Sequence, residues 1–232
     1  MKLRTRIALL IVCVFGIGIL PLLADSALIT FVYVGPAAGS GVYMADLTLT
    51  GLTDIGSITI RDNSNGAGSP GIFSGFDVDA LFLDADGDLN TTGDQTFADN
   101  FIFQAGSIMP TADPGMQPTL QHPGPTFGSL TANSIDLVTA TLNAFDGISV
   151  ANVNSANGFL SLGEGGILSA NFLSNVSIGS SLYVMTGEVG NNGEGLRAIA
   201  SVSDTQVPEP STLILLGSGF AALGVAAWRR RK

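Results

Sequence analysis

Residues 56–62 read GSITIRD, and they decide how the rest of the chain is understood. In an extended backbone successive side chains point to opposite faces, so Ile58 and Ile60 share one side while Ser57 and Thr59 share the other. That is the alternation of a strand with one face on a core and one in water.

The same grammar recurs on both sides of this stretch. GVYMADLTLTGL (41–52), DVDALFLD (77–84), NFIFQAG (100–106), SIDLVTATLNAF (134–145), GISVANV (147–153), SANFLSNVSI (169–178) and SSLYVMTGEV (180–189) are short and rich in β-branched and aromatic residues. Gly, Asn, Asp and Ser separate them. Helical candidates of any length occur only at the two termini. The spacing predicts an all-β chain with a single antiparallel β-sandwich or jelly-roll-like domain over residues 27–206. A solenoid is the alternative, but no repeat of fixed period is visible. DNSNGAGSPG (62–71) is expected to be a polar loop. Five prolines between Met109 and Pro125 forbid a central strand there.

The most suggestive local chemistry lies in FDVDALFLDADGDLNTTGD, residues 76–94. Asp84, Asp86 and Asp88 alternate around Gly87, with Asp77 and Asp79 just before them and Asp94 just after. Clustered carboxylates on a tight turn are the oxygen ligands that a hard cation requires, which makes Asp77, Asp79, Asp84, Asp86 and Asp88 candidate Ca²⁺ ligands. An EF-hand is excluded. Counted from Asp84, its glycine stands at the fourth position where the sixth is needed, and Gln95 stands where the closing Glu belongs. The competing reading is an acidic β-turn, with Asp and Gly present for turn geometry.

Charge is sharply partitioned. Of nine cations, Lys2, Arg4 and Arg6 open the chain, Arg229, Arg230, Arg231 and Lys232 close it, and only Arg61 and Arg197 lie between. All nineteen carboxylates fall between Asp25 and Glu209. A body so acidic repels phosphates, which excludes nucleic acid as a partner.

The N-terminus has the form of an export signal over residues 1–26: a cationic start, an apolar stretch from Ile7 to Leu20, and the small residues Ala24, Ser26 and Ala27 at a cleavage site between 24 and 27. Its expected partners are the Sec machinery and signal peptidase. An uncleaved anchor helix is disfavoured by Pro21. Lipidation at Cys13 is disfavoured by Val12, which stands where a small residue is needed. Cleavage also removes the only cysteine, so the mature body lacks disulfides and thiolate metal sites.

The C-terminus, VPEPSTLILLGSGFAALGVAAWRRRK (207–232), has four parts in fixed order. Val207, Pro208, Glu209 and Pro210 form a rigid extended segment, since proline disfavours helical geometry in the residue before it. Ser211 to Trp228 carries no charge and spans about 27 Å as a helix, close to the thickness of a hydrocarbon core. Trp228 suits the interface, and Arg229, Arg230, Arg231 and Lys232 hold the terminus in the cytoplasm. This arrangement resembles the PEP-CTERM sorting signal of Gram-negative bacteria, whose tails are also labelled as the C-terminal domain of ice-binding proteins. The resemblance implies recognition by exosortase, transient anchoring in the cytoplasmic membrane, and delivery to the cell surface or an exopolysaccharide and biofilm matrix. A plain single-pass anchor is the alternative, though it has no need of Pro-Glu-Pro.

Enzymatic chemistry is not expected. The sole histidine, His122, sits between proline-bearing turns, and neither a G-x-S-x-G elbow nor a phosphate-binding glycine loop is present. Three non-enzymatic roles follow: a surface or biofilm-matrix protein, a calcium-dependent lectin-like carbohydrate-binding module, and an ice-binding protein. The body has Tyr33, Tyr43 and Tyr183 but no tryptophan to stack on sugars, and the threonine pairs Thr48/Thr50 and Thr139/Thr141 are too few for an ice-binding array.

Overall fold

The computed structural model describes residues 26–91, 93–110, 124–147, 158–190 and 193–202. Residues 1–25, His122, most of 147–153 and the sorting tail 207–232 lie outside the described residues. In chain order the strands are β1 (Ser26–Ile29), β2 (Val32–Ala37), β3 (Ser40–Asp46), β4 (Asp54–Asp62), β5 (Asp77–Asp84), β6 (Gln95–Phe97) and β7 (Asn100–Gln104). They continue as β8 (Ser129–Thr131), β9 (Ser134–Ile135), β10 (Leu160–Ser161), β11 (Ile167–Ser177), β12 (Tyr183–Val189) and β13 (Leu196–Ser201).

Two antiparallel sheets face each other in a β-sandwich. One has the order β1-β13-β4-β11-β7; the other has the order β10-β5-β12-β3-β2, with β6 also on β5. The opening stretch is β4, at the centre of the first sheet. Ile58 and Ile60 are fully buried, together with Leu168, Ala170, Ala198 and Phe103 from the neighbouring strands. Val78, Leu81, Leu83 and Val184 of the opposite sheet complete this core. On the outer face Thr59 stands opposite Ser169, and their hydroxyls are hydrogen-bonded at 2.8 Å. Burial of such aliphatic side chains stabilises the sandwich by about 1.5–3 kcal/mol each.

Strand β5 is buried on both faces. The main core covers one face and a second apolar cluster the other, and a bulge shifts the alternation between them: Leu81 stands opposite Thr186 and Val78 opposite Glu188, so Asp79 and Ala80 together face Gly187. Val78, Leu81 and Leu83 consequently enter the main core, while Ala80 and Phe82 join Val42 and Met185 in a second cluster on the other face. Phe97 and Phe145 close that cluster over Phe82, with ring centroids 5.7 and 5.3 Å away. The free edge of β5 is covered in three pieces. These are β10, the Leu142 carbonyl accepting from the Leu81 amide at 3.0 Å, and β6.

Two expected strands end early. In 41–52 the strand stops at Asp46, whose carboxylate accepts from the Thr48 amide at 2.9 Å and its hydroxyl at 2.6 Å; Leu47–Thr50 then winds into a 3-10 turn. In 134–145 only Ser134–Ile135 is a strand. Asp136 accepts from the Val138 amide at 3.1 Å and the Thr139 hydroxyl at 2.9 Å, and its carbonyl binds the amides of Thr139 and Ala140. A short polar side chain that bonds local backbone competes with a sheet ladder, which overrides the β-branched residues that follow. Asp136→Ala should therefore destabilise by about 0.5–1.5 kcal/mol, read as a lowered denaturant midpoint at unchanged m-value.

Candidate functional site

The acidic segment begins as β5 and turns at its end. Because Asp84 pairs with Gln95 in the β5–β6 ladder, the chain doubles back and brings Asp94 beside Asp84. Within the turn each aspartate serves the backbone ahead of it. Asp84 Oδ1 accepts from the Gly87 amide at 2.6 Å and the Asp86 amide at 3.2 Å. Asp86 Oδ1 accepts from the Asp88 amide at 2.8 Å and the Thr91 hydroxyl at 3.1 Å. Asp88 Oδ1 accepts from the amide and side-chain nitrogen of Asn90, at 3.0 and 2.7 Å.

One carboxylate oxygen from each of Asp84, Asp86 and Asp94 lies within 4.8 Å of the others. Asp84 is fully buried, Asp94 half-buried and Asp86 exposed. Asp84 Oδ2 and Asp94 Oδ1 are both enclosed by protein and accept no hydrogen bond. Burial raises the Asp84 carboxyl above its ordinary range, against the pull of the Gly87 and Asp86 amides. The Asp88 amide is the main cause that lowers Asp86. With oxygen donors alone, this group suits hard cations; zinc's usual nitrogen and sulfur ligands are missing from it.

Of the five aspartates singled out in the sequence, the structure joins Asp84 and Asp86 and adds Asp94. Asp77 and Asp79 do not join them. They point from β5 to hydroxyls, Asp77 accepting from Ser161 at 2.5 Å and Asp79 from Ser40 at 2.6 Å. Desolvation pushes Asp77 well up and Asp79 up to about 6. Asp88 stays with Asn90 on the surface of the turn. Proximity along the chain favoured Asp77 and Asp79, but strand pairing selects Asp94. The signal that could have identified it is the short strand QTF directly after Asp94, which makes DLNTTGD the loop of a hairpin.

The proposed sorting residues Val207, Pro208, Glu209 and Pro210, and the topology residues Trp228, Arg229, Arg230, Arg231 and Lys232, lie outside the described residues. Among the described residues no helix is long and apolar enough to cross a membrane. Thr48 and Thr50 sit on the 3-10 turn, and Thr139 lies in a turn rather than on a strand.

The family model described as the PEP-CTERM protein-sorting motif matches residues 206–232. No curated protein and no solved structure matches the chain. The C-terminus therefore carries the sorting signal of an exported, exosortase-processed protein that passes through a membrane.

Proposed function

We propose that the chain is a non-enzymatic protein of the cell surface or of a biofilm and exopolysaccharide matrix, delivered there by exosortase after a cytoplasmic-membrane intermediate. The observation that carries this reading is the match of the sorting motif to residues 206–232. The sequence Pro-Glu-Pro favours extended backbone, which a peptidase can bind as a strand, whereas a helix would hide it. The sandwich supplies what a matrix protein needs, a core stable without disulfides, and its carboxylate-rich body keeps it soluble among anionic polymers. The sequence offers the usual nucleophilic and metal-dependent hydrolases little, since Cys13 belongs to the export signal and His122 is the sole imidazole.

Mass spectrometry of the protein recovered from the producing cell provides the test. Loss of residues 211–232 from the surface fraction is the expected result. Replacing Pro208, Glu209 and Pro210 together by alanine should leave the tail intact and hold the protein in the cytoplasmic membrane. An intact tail in the wild-type surface fraction would overturn the reading in favour of a permanent anchor.

A further inference from the structure

We propose that Asp84, Asp86 and Asp94 form a calcium site that locks the β5–β6 hairpin of the exported protein. Calcium bonds oxygen at about 2.3–2.6 Å, so two of its ligands stand at most about 5 Å apart. The three carboxylate oxygens satisfy that limit, all lying within 4.8 Å of one another. Magnesium, with bonds of about 2.0–2.1 Å, demands near-ideal octahedral geometry and holds its water more firmly.

The state of the oxygens points to a ligand independently of their clustering. Asp84 is fully buried, yet its Oδ2 accepts nothing, and the enclosed Oδ1 of Asp94 likewise accepts nothing. A buried carboxylate oxygen without a donor is costly, and the cost rises when other carboxylates stand beside it. Among the described residues no cation relieves it. The described residues include two basic side chains, Arg61 and Arg197, and both line a groove shared with Asp62 and Glu164. The amides of Asp86 and Gly87 are directed at Asp84 Oδ1 and that of Asp88 at Asp86 Oδ1, which leaves Asp84 Oδ2 and Asp94 Oδ1 for an external cation.

The site also has a place in the fold. Asp84 ends the doubly buried strand β5, and Asp94 precedes β6, which covers the last stretch of that strand's edge. A cation bridging the two fastens the hairpin at its loop end. Its position at the edge of the second sheet makes the sandwich, rather than the sorting tail, the part that responds to calcium.

The test is thermal melting of the full-length chain in detergent, with EDTA, calcium chloride, or magnesium chloride at matched ionic strength. When calcium exceeds its Kd about a hundredfold, the melting temperature of the wild type should rise by roughly 5–10 °C. Asp88→Asn, in the same turn but outside the group, should keep that rise. Asp94→Asn and the exposed Asp86→Asn should each abolish most of it, and the second keeps the test open if the first folds poorly. Calorimetric titration of calcium into the same protein should show saturable binding in the wild type and none in Asp86→Asn. The proposal is overturned if calcium produces no shift and no heat, if magnesium reproduces the shift in full, or if Asp88→Asn removes it as completely as Asp86→Asn. None of these outcomes depends on whether exosortase cuts the tail.

Discussion

Gly75→Ala should lower stability by roughly 3–5 kcal/mol, which for a domain of this size is a fall in melting temperature on the order of 10 °C. Gly75 has φ +73°, a left-handed conformation that costs a residue with a side chain about 1–2 kcal/mol. Sterics add to that. A Cβ at position 75 would lie 2.4 Å from the carbonyl oxygen of Gly163 and 2.9 Å from its nitrogen. Both atoms are backbone, so no rotamer change can make room. The two segments are also tied together, the Gly163 amide donating to the Ser74 carbonyl at 2.7 Å and the Leu162 amide to the Phe76 carbonyl at 3.0 Å. Separating them would disturb Phe76, which is fully buried. Gly71 provides the control. Its φ is +79°, but nothing lies within 4 Å of its Cβ position, so Gly71→Ala should cost only the conformational part, about 1–2 kcal/mol. Equal losses in the two variants would refute the close-approach argument.

The protein should melt at a higher temperature near pH 4.5 than near pH 7.5, against the usual behaviour of proteins whose carboxylates are salt-bridged. Burial is the main reason that the Asp79 carboxyl titrates at about 6 instead of 3.8; the Ser40 hydroxyl opposes the shift, nearby Asp146 adds to it, and the backbone of Asp146 and Gly147 opposes it. A carboxyl raised in the folded state binds its proton more tightly there than in the unfolded chain. Its contribution is therefore complete below about pH 3.8 and is lost as the pH rises through about 6. Asp77, also buried and also raised, acts in the same direction. For Asp79 the ceiling is about 3 kcal/mol, and roughly half that once residual hydration is allowed for, or about 3–6 °C. The check is the slope of melting temperature against pH in Asp79→Asn. It should flatten markedly between pH 4 and pH 7, and an unchanged slope would show that Asp79 does not govern it.

The readable parts of this fold and the parts that required coordinates differ in a consistent way. Ile58 and Ile60 announced β4 because one face of that strand meets the core and the other meets water. DVDALFLD was legible as a strand, but its three aspartates gave no hint that β5 is buried on both faces. The bulge at Asp79 and Ala80 turns the alternation over halfway along, and only the partner strand β12 reveals it. SIDLVTATLNAF misled for a local reason, since Asp136 diverts the backbone before its β-branched residues can pair. LRAIAS, which forms β13 between β1 and β4, was hidden by alanines at the buried positions 198 and 200, where small side chains suffice for the space available. The candidate site divides in the same manner: the acidic turn was visible, while the choice of Asp94 over Asp77, Asp79 and Asp88 belonged to strand pairing.

Sequence alone determined the C-terminal sorting motif, the all-β class and the acidity of the body, because each depends on residue type and local order. Only the tertiary structure decided which carboxylates converge, which are buried against serine hydroxyls, and where two backbones touch at Gly75 and Gly163. Those properties arise between residues distant along the chain, and no local pattern records the distance at which a strand meets its neighbour.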